Sequence, residues 1–255
     1  CHEPASGALL ADHPDIAHDL AHPAAPRSAI GFLVAGLAAR AAADAGPLTI
    51  ISCDNLPDNG RVLGGVVRAL AQRLHPGLDR WIERNARFPA TMVDRIVPAT
   101  TSQDLAEAAA TLGFEDAGLV KTEPFTQWVI ENDFAGPRPA WEAAGAQLVP
   151  DVRPFELAKL RMLNGSHSAL AYLGLMAGHA FVDQAMADPA IAPVVAALMD
   201  EAAATLPAVP GLDPAAYGAA LRQRFVNAAL QHRLAQIAMD GSQKLPQRLL
   251  GTIAA

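Results

Sequence analysis

The chain has 255 residues, 51% of them hydrophobic, and a formal net charge of −7 at pH 7. That length supports one large domain or two ordinary ones with a sizeable core. The acidic balance excludes a nucleic-acid binder, which needs a basic stripe, and no apolar run is long and charge-free enough to span a bilayer as a helix. Cys1 and Cys53 make neither a disulfide framework nor zinc spacing, so a reducing, cytoplasmic setting is the expectation, with Cys53 as a buried thiol in an apolar run. The opening CHEPASGALL lacks a basic segment followed by an apolar core and does not read as a signal peptide. It also lacks an initiator methionine, which suggests a fragment or a processed chain.

Residues 1–27 are rich in His, Pro, Asp and Ala. His13, His18 and His22 invite a metal, but on a helix the second and third lie about 140° and 180° from the first. The neighbouring Pro and Asp favour a loop or a short capped helix there. Residues 28–43 predict a helix with an apolar stripe. PLTIISC (47–53) predicts a buried strand, ended by the polar loop DNLPDNG (54–60). One long helix is predicted from 61 to about 85. Residues 92–97 predict a second strand stopped by Pro98, and its Asp94 and Arg95 could pair locally. Thr101-Ser102-Gln103-Asp104 reads as a cap before an alanine-rich helix.

A third strand is predicted within 120–130 and a further one at 147–152. Beyond Pro154 the pattern is helical: 154–178, 181–204, 213–223, 226–239 and 243 onward. The fold class is therefore α/β followed by all-α, with domains at 1–152 and 153–255. Ligands of such an α/β layer gather at the carboxyl ends of its parallel strands, where loop 54–60 falls, and Asp94 too if the 92–97 strand is parallel to its neighbour.

The segment 154–178, PFELAKLRMLNGSHSALAYLGLMAG, places Lys159, Asn164 and His167 in an otherwise apolar helical run. Counted around an ideal helix from Lys159, Asn164 lies at about 140°, His167 at about 80° and Glu156 at about 60°. All four can share one broad face. A buried lysine is expensive unless it is used, and it loses its proton easily when desolvated. An asparagine amide can donate to a developing oxyanion, and a histidine can grip a hydroxyl. The set suits chemistry at a carbinol or carbonyl carbon. The same spacing also fits a surface helix with a polar stripe.

Four segments sharpen this reading: SCDNLPDNG (52–60), FPATMVDRIVP (88–98), EPFTQWVIENDF (123–134) and KLRMLNGSHSALAYLG (159–174). In order and approximate spacing they resemble the mannitol dehydrogenase family, a polyol-specific long-chain dehydrogenase/reductase group. QIAMDGSQKLPQRLL (236–250) resembles its fructuronate reductase branch, the D-mannonate oxidoreductases. The resemblance implies a partial Rossmann-like domain followed by a helical domain. It also implies NAD-dependent interconversion of a secondary alcohol and a ketone on an open-chain sugar derivative, without a metal. D-mannonate/D-fructuronate is the preferred pair, and D-mannitol/D-fructose the alternative.

By the same resemblance Lys159 is the general acid/base, and Asn164 and Asn55 hydrogen-bond the reacting oxygen, with Asn55 also beside the cofactor. Glu156 relays the proton to water, and Asp94, His167 and Lys244 line the substrate site. A hexuronate carboxylate needs a cation, for which Lys244, Arg233 and Arg248 are the candidates. Gln236 stands where some mannitol-oxidising relatives carry arginine, so their full polyol-binding pattern does not transfer. The chain has no G-x-G-x-x-G, so it is expected to start within the dinucleotide domain, to stop before the family's last helices are complete and, alone, to bind NAD poorly and lack turnover; a non-catalytic remnant is the reading from another class.

Overall fold

The computed structural model describes residues 7–255, so Cys1 lies outside the described residues. The chain divides into two compact units, Cys1–Val93 with Trp128–Val152, and Asp94–Gln127 with Arg153–Ala255. Among the described residues no helix is long and apolar enough to cross a membrane.

The first unit opens with α1 (Pro14–Ala21) and α2 (Ala29–Ala42), the latter capped by Ser28. The loop between them is organised by Asp19, which is fully buried. Its Oδ2 accepts from the Ser28 amide at 3.0 Å and the Ser28 hydroxyl at 2.6 Å, and its Oδ1 accepts from the Arg27 amide at 2.7 Å. Burial alone would raise this carboxyl. The hydrogen bonds from Ser28, Arg27 and His18 outweigh it and hold the pKa at about 2. A depressed carboxylate stabilises the fold above its unfolded pKa and loses that contribution as pH falls towards its folded one. Asp19→Ala is therefore expected to lower stability at neutral pH by roughly 1–3 kcal/mol, with the deficit shrinking as pH falls from about 4 towards 2. Urea unfolding at a series of pH values checks this, and a deficit independent of pH would contradict it.

The histidines of this region serve local structure. His13 Nδ1 accepts from the Asp15 amide at 3.3 Å, His18 lies 3.2 Å from Asp19, and the His18 and His22 rings are 4.8 Å apart. The predicted strand at 47–53 contracts to β1 (Leu48–Thr49), parallel to β2 (Ala86–Arg87). Cys53 lies beyond it and is exposed, not buried as the apolar run suggested. The strand ends before the cysteine, so its apolar context stops at Ile50, which is buried.

The long helix expected over 61–85 is two helices, α3 (Asn59–Leu74) and α4 (Leu78–Asn85). His75-Pro76-Gly77 breaks it: Pro76 cannot continue the hydrogen-bond ladder, and Gly77 adopts φ +89°. Gly60 lets α3 start hard against the 88–90 segment, since a Cβ there would stand 2.3 Å from the Phe88 carbonyl oxygen. Asn59 locks the same joint. Its side chain donates to the carbonyls of Asp54 (2.8 Å) and Thr91 (2.9 Å) and accepts from the Thr91 amide (2.9 Å). Ile16, Val34, Leu37, Val67, Leu70 and Ile82 form the core of this unit. A second sheet has the order β3 (Thr91–Asp94), β4 (Gln127–Glu131), β5 (Gln147–Val149), with β4 and β5 parallel.

The second unit is helical. α5 (Ser102–Leu112) carries the predicted cap as a full capping box between Thr101 and Asp104. The expected helix at 154–178 is interrupted: α6 (Arg153–Ala158) passes through a π turn, Lys159–Asn164, into α7 (Gly165–Met176). The 181–204 helix divides at Asp188-Pro189 into α8 (Val182–Ala187) and α9 (Ala192–Ala204). α10 (Pro214–Phe225), α11 (Leu234–Ala238), α12 (Gly241–Leu245), a second π turn (Pro246–Leu250) and α13 (Gly251–Ile253) complete it. Leu170, Val195, Met199, Leu221, Phe225 and Leu234 anchor its core.

Candidate active site

The π turn changes how the 154–178 segment presents its polar residues. Its hydrogen bonds close i to i+5, so residues five apart fall one turn apart on the same side. Positions 159 and 164 are five apart and span this turn. Asn164 is thereby brought under Lys159 rather than about 140° away, as regular α-helical geometry gives. π turns inside helices occur frequently at functional sites.

Lys159 is largely withdrawn from solvent. Burial lowers its pKa; Asp94 and Glu156 pull it back up, while Arg224 and Arg248 push it further down. The net direction is towards the free amine, the form that can take a proton. Glu156 precedes it on α6 and is partly buried.

Beside it lies a buried charge cluster. Asp94 and Glu123 are each 2% exposed and Arg224 is 7% exposed. Arg224 Nη1 donates to Asp94 Oδ2 at 2.9 Å and Nη2 to Asp94 Oδ1 at 2.8 Å. The same guanidinium reaches both oxygens of Glu123 through Nε, at 3.2 and 3.0 Å, and Glu123 Oε1 through Nη2 at 2.8 Å. The Tyr217 hydroxyl donates to Asp94 Oδ2 at 2.8 Å, the Ile96 amide donates to Glu123 Oε1 at 2.6 Å, and the Phe125 ring lies 4.0 Å from the guanidinium carbon. Burial opposes the Arg224 charge, but the hydrogen bonds and charges of Asp94 and Glu123 hold it protonated. Burial and the Asp94 charge press the Tyr217 hydroxyl far above its ordinary range.

Of this cluster, the Asp94 charge pulls the Lys159 pKa up and the Arg224 charge pushes it down. Asp94 thus pairs with Arg224 and Tyr217, while Arg95 instead donates to the Glu123 carbonyl at 3.0 Å. Glu123 opens the quoted segment EPFTQWVIENDF, but nothing local reveals that it meets Arg224, 101 positions further on.

His167 on α7 is 6% exposed. It stacks on Phe225 at 4.6 Å and meets the His232 ring edge-on at 5.2 Å. Burial, with His232, Arg224 and Arg248 adding, holds its pKa well below the ordinary value, so it stays neutral. Among the described residues, His167 Nε2 and His232 Nδ1 are buried without a hydrogen-bond partner. Both rings line a cavity of about 10 Å³ with Arg224 and Asn227, close to the size of one water molecule.

The remaining predicted residues make other contacts. Lys244 Nζ donates to the Met239 carbonyl at 2.7 Å and lies 3.5 Å from Asp240. Arg233 immediately precedes α11 and sits over the Phe181 ring at 5.3 Å. Asn55 lies in the first unit, exposed, in the loop after β1, with its amide donating to Asp54 Oδ1 at 2.8 Å. Among the described residues no group of three or more His, Cys, Asp or Glu side chains could hold a metal ion.

A Rossmann-type domain followed by a helical domain is the architecture these units share with known dehydrogenases. The model of the mannitol dehydrogenase Rossmann domain matches residues 5–143, and that of the mannitol dehydrogenase C-terminal domain matches residues 151–255. The chain belongs to the mannitol dehydrogenase family. It is 50% identical over 254 residues to D-mannonate oxidoreductase of Escherichia coli, covering 99% of this chain and 52% of that protein. It is 42% identical over 250 residues to mannitol 2-dehydrogenase of Phaeosphaeria nodorum, covering 96% of this chain and 44% of that protein. Among solved structures, Pseudomonas fluorescens mannitol 2-dehydrogenase in ternary complex with NAD and D-mannitol superposes with a TM-score of 0.86 at 41% identity, covering 100% of this chain and 52% of that one. The chain spans about half the length of the curated relatives it matches.

Proposed function

We propose that this chain is the substrate-side part of an NAD-dependent oxidoreductase that interconverts a secondary alcohol and a ketone on an open-chain sugar derivative. The preferred pair is D-mannonate/D-fructuronate, and D-mannitol/D-fructose is the second reading. The observation that carries the proposal is Lys159, withdrawn from water and biased towards its free amine on a π turn that aligns it with Asn164. The relative at 50% identity named D-mannonate oxidoreductase favours the uronate pair. The mannitol 2-dehydrogenases keep the polyol pair in view.

In this reading Lys159 takes the carbinol proton during oxidation and returns it to the oxygen during reduction. Glu156, the acid nearest in sequence, passes the proton to solvent. The Asn164 amide donates to the reacting oxygen as charge builds there, and a donor of this kind is worth roughly 3 kcal/mol. Asn55, in the first unit, is proposed as a second donor and as a cofactor contact on its sequence motif alone. His167, held neutral, is proposed to grip a substrate hydroxyl, with Asp94 and Lys244 lining the substrate side.

Asn55, exposed in the loop after parallel strand β1, is the described residue proposed to meet the nicotinamide end of NAD. When bound, that cofactor supplies or accepts the hydride. The proposed division at 152/153 assigns the cofactor to the first part and the acid/base to the second.

The test is spectrophotometric: the whole protein that carries this chain, with NADH and either D-fructuronate or D-fructose, and with NAD and either D-mannonate or D-mannitol. Turnover of the uronate pair at a kcat/KM at least about 100-fold above the polyol pair is expected, because a site built for a carboxylate discriminates strongly against its uncharged analogue. Polyol turnover alone moves the assignment to the second reading. No NAD-linked turnover of either pair contradicts the proposal.

A further inference from the structure

The candidate site holds one cation that the proposed chemistry has not used. Arg248 sits in the second π turn, Pro246–Leu250, which packs against the first π turn carrying Lys159 and Asn164. Gly165 makes this approach close: a Cβ there would stand 3.1 Å from the Arg248 carbonyl oxygen. The Arg248 side chain is partly buried, and its Nη1 donates to the Ser168 hydroxyl on α7 at 3.2 Å. Among the described residues it makes no ion pair with any carboxylate. Its charge reaches both Lys159 and His167, so it lies on the same side of the unit as the proposed acid/base.

A partly buried guanidinium without a counter-anion is an unstable arrangement unless a ligand completes it. Three other cations of the unit are placed differently: Arg224 is paired with Asp94 and Glu123, Lys244 donates to the Met239 carbonyl and lies 3.5 Å from Asp240, and Arg233 lies exposed over Phe181. Arg248 still has planar donors beyond the one given to Ser168, and a carboxylate takes two such donors in parallel.

We infer that Arg248 is the specificity-determining residue for a carboxylate-bearing substrate, reading the acid group of an open-chain sugar acid whose carbinol is set at Lys159. Ser168 fixes the plane of the guanidinium, and Gly165 allows the turn that carries it to come within reach of the substrate chain. This rests on the proposed sugar-acid reading and selects one of the three candidate cations. It also supplies a physical basis for the uronate preference, since an uncharged polyol would leave the Arg248 charge unpaired.

The test uses the whole protein and compares binding of D-mannonate with that of its uncharged amide, D-mannonamide, by calorimetry, in wild type, Arg248→Gln and Arg248→Lys. A ratio of affinities measured on one preparation does not depend on what fraction is folded, and retained binding of the amide shows that the variant's site is intact. The wild type is expected to favour the acid by on the order of 30-fold or more, Arg248→Gln to bring the ratio near one, and Arg248→Lys to fall between. Wild-type preference for the acid that survives in Arg248→Gln overturns the inference and leaves the sugar-acid reading standing. Wild-type indifference between acid and amide overturns both.

Discussion

In the whole protein that carries this chain, and on the proposed role of Lys159 as general base, its replacement by alanine is expected to lower kcat for alcohol oxidation by a factor of roughly 10²–10⁴, with little change in KM. The pH dependence carries the sharper signature. In the proposed mechanism oxidation needs the free amine, so the wild-type rate should rise with pH with unit slope and level off above the lysine's pKa, which burial places below its ordinary 10.5. Ketone reduction needs the protonated amine and should fall over the same range.

The sign for stability follows from proton uptake. Between the lowered folded pKa and 10.5 the unfolded chain binds the extra proton, so stability rises with pH across that window. Lys159→Met removes this slope and stabilises the protein at its lower end. Rate and stability profiles of wild type and both variants test these statements together. A pH limb that persists in Lys159→Ala would assign the base elsewhere.

The second large effect concerns Arg224. Arg224→Met leaves Asp94 and Glu123, each 2% exposed, without their shared counter-charge. Breaking a buried pair by removing one partner typically destabilises by about 3–5 kcal/mol, because a buried charge is left uncompensated. The expected result is a loss of that size in denaturant unfolding at neutral pH, partly recovered in Arg224→Met/Glu123→Gln, where one orphaned charge is removed. The variant also removes one of the charges that oppose Asp94 at Lys159. Since Arg224 depresses the lysine's pKa and Asp94 raises it, the pH limb of the oxidation rate should move upward. A loss under about 1 kcal/mol, the scale of an exposed pair, would contradict the buried network.

The parts of the molecule legible in sequence were those written locally. The Thr101 cap and the α/β-to-helical order each depend on neighbours within a few positions. Four family segments also pointed to the fold and family that the two domain models match. Breaks were underread: Pro76-Gly77 splits a helix that periodicity carried through, and Pro189 splits another. Cys53 was misread because a run of apolar letters does not say where a strand stops.

Two features of the site had no local signal at all. A π turn inserts one residue per turn without any residue type that demands it, so the 140° offset between Lys159 and Asn164 could be replaced by alignment only in three dimensions. The Arg224 cluster joins side chains 101 and 130 positions apart, and charge complementarity at that separation leaves no mark on a single sequence.

Chemical rescue tests the central claim most directly, that the Lys159 amine itself moves the proton. The Lys159→Ala protein should regain alcohol oxidation when small primary amines such as methylamine or ethylamine are added. The rescued rate should track the concentration of the free amine and its basicity at fixed pH, while Asn164→Ala should gain nothing. If Lys159→Ala gains nothing from any amine while still binding substrate and cofactor normally, or if it turns over at the wild-type rate without one, the assignment of Lys159 as the acid/base is contradicted.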